Sequence, residues 1–248
     1  MNQIEIIINR WFENVQQQVS EESVKNKSLT FSFCSVSLPV MQIYCSASGF
    51  LLDNEYKLPA TALFRIISDF FIKFLWCLNT DNEDETRKRI RRWEKTSANK
   101  KLRLIDNLLK SSRVLKPSDV NKLNKFKITV KQDDENNPHK AMPAVTGKDS
   151  IFEQTSNVFG VDVSALLYGQ YCSAVHTDTS IFRGLMNNKQ GNLIIRADID
   201  EDINELKKRC LNFAYMYFVI LDKKISIDMI TIKEDYENAI EVLNKPKT

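Results

Sequence analysis

Glycine and proline are scarce in this chain, with six of each among 248 residues. All-β folds need frequent turns, so the scarcity points towards helices. Histidine is scarcer still: only His139 and His176 are present. With two histidines and no Cys-x-x-Cys, a structural zinc site is not expected. There is no Gly-x-Gly-x-x-Gly and no P-loop to cradle phosphates. No Gly-x-Ser-x-Gly elbow is present to hold a serine nucleophile. No resident metal or cofactor is therefore expected. The formal net charge is only +3, which neither demands nor excludes a polyanionic partner. The N-terminus, M-N-Q-I-E-I-I-I-N-R-W-F, lacks the basic region and long apolar core of a signal peptide. The five cysteines (Cys34, Cys45, Cys77, Cys172 and Cys210) are odd in number, widely spaced and set mostly in apolar runs. That pattern reads as reduced thiols in a cytoplasmic protein.

What is present is a hydrophobic fraction of 43%, ordinary for a folded domain, and a series of helical patterns. The expected fold class is mainly α, a single domain over 1–248 with a basic helical insertion at about 82–140. Ile4, Ile7, Ile8, Trp11, Phe12, Val15 and Val19 fall at helical spacing. After a polar break at Asn26–Ser28, Leu29–Leu52 is a second apolar segment. Its small residues Ser35, Ser37, Ala47, Ser48 and Gly49 would let another helix approach closely. Pro39 should kink this segment or mark its start. A turn over Asp53–Lys57 leads to the central helix, about 58–78, apolar on every side of the helical wheel. Such a helix belongs in the middle of a bundle. It is long enough to span a bilayer, but Arg65, Asp69 and Lys73 near its middle would be costly there, so no membrane association is expected.

Thr80 or Asp81 should cap the next helix, with Glu83, Asp84 and Glu85 in its first turn. That helix is strongly basic, and Arg87, Arg89, Arg91, Arg92, Trp93 and Lys95 are its candidate nucleic-acid contacts. Lys and Arg neutralise phosphates, and an indole stacks on a base. Set against this is a solvated helix face balanced by the acids before it. Asp119–Lys131 reads as helix and Lys131–Lys140 as loop. Ser150–Val158 and Val161–His176 read as helices, Asn187–Asn192 as loop, and Leu193–Ile199 as a short strand. Asp202–Leu221 is an amphipathic helix with Leu206, Cys210, Phe213, Ala214, Tyr217 and Leu221 on one face. Ile225–Ile232 alternates and suits a strand paired with Leu193–Ile199, a small hairpin near the C-terminus. Asp235–Leu243 closes the chain as a helix. Among Asp198, Asp200, Glu201 and Asp202, a helix cap at Asp200 is favoured over a cation site.

Two segments carry polar groups where apolar ones dominate. Arg65 and Asp69 are four apart on the central helix and share a face. In Y-G-Q-Y-C-S-A-V-H-T-D, helical spacing puts Tyr168, Cys172 and His176 on one face, with Ser173 three residues before His176. A histidine there could move protons near neutral pH, or be a buried ring satisfied by hydroxyls.

Taken together, L-F-R-I-I-S-D-F and Y-C-S-A-V-H-T-D resemble a bacterial all-helical family of uncharacterised proteins. That family is placed near the HEPN superfamily, whose members include ribonucleases of toxin–antitoxin and antiphage systems. The resemblance covers Phe31–Leu78 and Met142–Met186. It implies a polar cluster of Arg65, Asp69, Tyr168, Ser173 and His176 and a partner that is RNA or a nucleotide. HEPN ribonucleases carry Arg, four to six residues, then His on one helix. Here no Arg precedes either histidine at that spacing, Arg183 follows His176, and Asp69 stands where Glu is more usual. Metal-independent RNA cleavage would need His176 as base and Arg65 as the cation for developing phosphorane charge. The alternative expectation is a non-enzymatic interaction module, with a structural polar network and the basic helix against a protein partner. The amphipathic first helix is the expected surface for a homodimer.

Overall fold

A computed structural model describes residues 3–23, 25–110, 116–143, 186–189, 192–195 and 201–245, the strands by their backbone only. The protein is mainly α. By contact it divides into two compact units, Met1–Ile72 with Ser156–Thr248, and Lys73–Thr155.

In the first unit, α1 (Ile4–Ser23) buries every member of its predicted apolar stripe. Helix α2 (Leu29–Asp53) starts at Ser28, whose Oγ accepts the Phe31 N–H at 3.1 Å. This satisfies one of the orphan amides of the first turn. Pro39 neither starts nor ends α2 but lies inside it, where it removes the amide that would bond the Ser35 carbonyl. The serines of α2 turn back on their own helix: Ser32, Ser35 and Ser48 donate to the carbonyl four residues earlier. A serine that does this buries without an unmet hydrogen bond. At Gly49 the backbone of α1 comes close, since a Cβ there would stand 3.0 Å from Glu5 Cα and N.

Helix α3 (Lys57–Leu78) matches the expected central helix. Ala60, Phe64, Ile67, Phe71 and Phe74 are buried along it, although Ile66 reaches solvent. The second unit holds α4 (Glu83–Lys110) and α5 (Pro117–Glu135), and the first unit is completed by α6 (Ile203–Ile225) and α7 (Ile230–Asn244). Helix α6 packs on both α1 and α2. Its Phe218 ring lies 4.7 Å from Phe12 and 6.4 Å from Trp11, centroid to centroid. Phe213 approaches Phe64 of α3 at 5.6 Å. Each such fully buried ring contributes roughly 1.5–3 kcal/mol, so these aromatic contacts tie α6 to α1 and α3.

Strands β1 (Met186–Lys189) and β2 (Asn192–Ile195) pair antiparallel, with Met186 opposite Ile195 and Lys189 opposite Asn192. The hairpin is more local than the sequence suggested. The partner of Leu193–Ile195 is the segment read as a loop, not Ile225–Ile232. Only two residues separate the strands, a spacing that suits a hairpin. Ile225–Ile232 is instead a helix junction. Helix α6 ends at Ile225, Ser226 caps it in the left-handed region at φ 56°, and α7 begins at Ile230. Asp228 fixes the junction: its N–H donates to Gln18 Oε1 of α1 at 2.7 Å, and its Oδ1 accepts the Ile230 N–H at 2.9 Å. A period-two pattern over two helix ends imitates a strand without being one.

In the second unit α4 and α5 form an antiparallel pair. The cap of α4 is Asn82, whose Oδ1 accepts from Asp84 N and Glu85 N, rather than Thr80 or Asp81. Helix α5 runs into the expected Lys131–Lys140 loop as far as Glu135. Lys95 of α4 explains the extension. Its Nζ donates to the Asp134 and Asn137 carbonyls at 2.7 and 3.3 Å, meeting acceptors at the helix end. The chain then returns along α4, with the Met142 N–H donating to Thr96 Oγ1 and the Asn137 amide to the Arg91 carbonyl.

Candidate functional site

Arg65 is buried at 7% exposure, and Asp69 is half-buried one turn later. The same stretch of α3 buries Thr61, Ser68 and Lys73. Thr61 and Ser68 donate to the Lys57 and Phe64 carbonyls, so these hydroxyls serve the helix itself. Tyr168, Ser173 and His176, the rest of the expected cluster, lie outside the described residues, as do Cys172 and the helices expected over Ser150–Val158 and Val161–His176.

The basic helix is divided in its use. Arg89 Nη1 donates to the Trp76 and Asn79 carbonyls at 2.7 and 3.1 Å, meeting orphan acceptors at the end of α3, and its Nε pairs with Glu85 at 3.1 Å. The guanidiniums of Arg89 and Arg92 both lie 5.4 Å from the Trp76 ring centroid, within cation–π range. Lys95 also pairs with Asp134 Oδ2 at 2.8 Å. These three cations are structural members of the second unit. Arg87 and Arg91 are exposed and pair with Asp84 and Glu94, three residues away. Such surface pairs are worth about 0–1 kcal/mol, so both side chains remain available to a partner. Trp93 is half-buried. The sequence flagged all six residues by charge and aromaticity, which do not distinguish a cation spent on a carbonyl from one facing water.

Another feature of the same unit was not anticipated. Leu104 and Leu108 of α4 and Phe126 of α5 are exposed. Ile105 and Val130 are the buried residues of this part of the pair, and Asp106 and Lys127 pair across one flank. By helical geometry Leu104, Leu108 and Phe126 share the opposite flank. Lys100, Lys101, Lys122 and Lys125 are exposed on the same two helices.

Sequence reasoning also missed a buried ion pair in the first unit. Lys207 Nζ lies 2.8 Å from Asp53 Oδ1, with the two side chains 9% and 7% exposed. Asp53 Oδ2 accepts the Glu5 N–H at 3.1 Å, so one carboxylate joins α1, α2 and α6. The available signal was Lys207 itself, adjacent to Leu206 and three residues before Cys210 on the apolar face of its helix. Asp202, not Asp200, caps that helix, accepting the Asn204 N–H at 2.7 Å. Glu201 pairs with Arg209, and no cluster of three metal-ligating side chains occurs among the described residues.

Cys34, Cys45, Cys77 and Cys210 are buried and free. Burial pushes the first three thiols up to about 12 and Cys210 well above its ordinary value. None of these four is a thiolate nucleophile near neutral pH. Burial also raises Tyr217, whose hydroxyl meets Ser37 Oγ in the core.

Between α1 and α7 is a half-open cavity of about 340 Å³, floored by Ile4, Ile7, Val242 and Leu243. At its edge Arg10 is paired with Asp235, which also accepts the Trp11 indole N–H at 3.0 Å. That pairing makes the cavity a poor cradle for an anionic nucleotide. The chain matches no family model, no curated protein and no solved structure.

Proposed function

We propose that this chain is a non-enzymatic interaction module whose α4–α5 hairpin docks a protein partner. The carrying observation is the exposed flank of Leu104, Leu108 and Phe126 on a hairpin rich in exposed lysines. Apolar side chains gathered on a surface supply burial, and surrounding cations select an acidic rim on the partner. The partner that fits is a segment with apolar anchors flanked by Asp and Glu. Photo-crosslinking from position 104 should capture a partner that Leu108→Glu and Phe126→Glu release. Capture that survives both substitutions removes this reading.

A second reading is supported by the excess of basic residues on α4, ten against five acids, and by the resemblance of the Arg65 and His176 segments to the HEPN-related family. In it the protein belongs to a bacterial defence or toxin–antitoxin system and binds or acts on RNA or a nucleotide. RNA binding should then weaken steeply with salt. Lys100→Glu with Lys101→Glu should abolish it, whereas Leu108→Ala should not. Cleavage unchanged by Arg65→Ala and His176→Ala would exclude ribonuclease chemistry by those residues.

A further inference from the structure

The apolar stripe of α1, the surface expected to pair two copies, is consumed inside the first unit. The exposed apolar seam lies instead on α2. Val36, Ile43 and Phe50 are 70%, 65% and 50% exposed and seven residues apart. Val40 and Ala47 fall between them and Phe33 comes three residues before Val36, each of the three half-buried. The spacing alternates three and four residues from Phe33 to Phe50, the pattern of a coiled-coil seam. From Leu29 to Leu52 there is no Asp, Glu, Lys or Arg. An exposed helix face that long without a charge is poorly suited to water.

We infer that α2 pairs antiparallel with α2 of a second copy, forming a two-fold dimer through Phe33, Val36, Val40, Ile43, Ala47 and Phe50. The spacing of the seam reads the same in both directions, so one register aligns every position. Phe33 meets the partner's Phe50, Val36 meets the partner's Ala47, and Val40 meets the partner's Ile43. A two-fold interface requires this self-complementarity, and an uncharged face carries nothing to repel its own copy. A bilayer is a worse occupant. Insertion of α2 would carry the charged outer side of α1, with Arg10, Glu13, Glu21 and Glu22, towards lipid. Lying on an anionic surface calls for a basic rim, and α2 has no basic residue.

The test is sedimentation of the full chain across a micromolar concentration series, with far-UV circular dichroism on each variant. The parent should sediment at about twice 28.7 kDa. Val36→Glu with Ile43→Glu should halve the mass without loss of helix, whereas Ile6→Gln, at an exposed position on α1, should leave the dimer intact. If the double variant unfolds, register is read by cross-linking. Val40→Cys chains mixed with Ile43→Cys chains should form a disulfide-linked pair, because the four described native thiols are buried. A monomeric parent overturns the proposal. So does a dimer that survives the glutamates, self-linking of Ile43→Cys alone, or a monomeric parent that floats with phosphatidylserine vesicles.

Discussion

Asp53→Ala is the sharpest test of how the first unit holds together. The substitution strips the ammonium of Lys207, only 9% exposed, of its partner at 2.8 Å. Leaving one member of a buried pair uncompensated costs about 3–5 kcal/mol. The same change orphans the Glu5 N–H in the first turn of α1, worth about 1 kcal/mol as a lost cap. A total loss of about 4–6 kcal/mol is comparable to the whole stability of many domains. Urea unfolding followed by circular dichroism measures it directly, and the loss should persist in high salt because a buried pair is weakly screened. Lys207→Met should be similarly damaging, because it leaves the carboxylate in the same surroundings. The double variant Asp53→Asn with Lys207→Met keeps an acceptor for the Glu5 N–H and removes both charges. It should recover most of the loss, since a buried pair exchanged for neutral groups is often neutral or stabilising. If both single variants fail to fold, recovery of soluble protein in the double variant is the readout. A loss below about 1 kcal/mol for Asp53→Ala, or a double variant no more stable than Lys207→Met alone, refutes the reasoning.

Other consequences follow from the same geometry. Gly49→Ala should destabilise by about 1–3 kcal/mol through overpacking, because its Cβ would press on the backbone of Glu5; a thermal melt reads this. Ser226→Gly should stabilise by about 1 kcal/mol, relieving a left-handed residue at the end of α6. The thiols of Cys34, Cys45 and Cys77 titrate near 9 when unfolded and near 12 when folded. Their contribution is therefore complete below pH 9 and lost as pH rises towards 12. Base-induced unfolding over that window should coincide with alkylation of these thiols, while native protein at neutral pH leaves them unmodified. Arg89→Ala should lower stability and shift the Trp76 fluorescence, since it removes both a ring neighbour and the cap on the end of α3.

The sequence by itself determined most of the helices among the described residues. Helical spacing of apolar residues is local and repeats every turn, so Ile4–Val19, Leu29–Leu52, 58–78 and the face from Leu206 to Leu221 were all legible. The small residues of α2 were legible in the same way, but the caps were not: Ser28 read only as part of a polar break, the cap of α6 was placed at Asp200, two residues before Asp202, and that of α4 at Thr80 or Asp81 instead of Asn82. What tertiary structure decided was the use of each charge. Arg89 and Lys95 read as phosphate ligands because composition records charge but not the carbonyl that a side chain will meet. Asp53 read as a turn residue, and only packing of α6 against α2 brought Lys207 to it. The alternation of Ile225–Ile232 suggested a strand, and only the hold of α1 on Asp228 showed a junction. Which apolar face is covered is likewise non-local: α1 and α2 both carry such faces, and the fold buries that of α1 while leaving a seam of α2 in water.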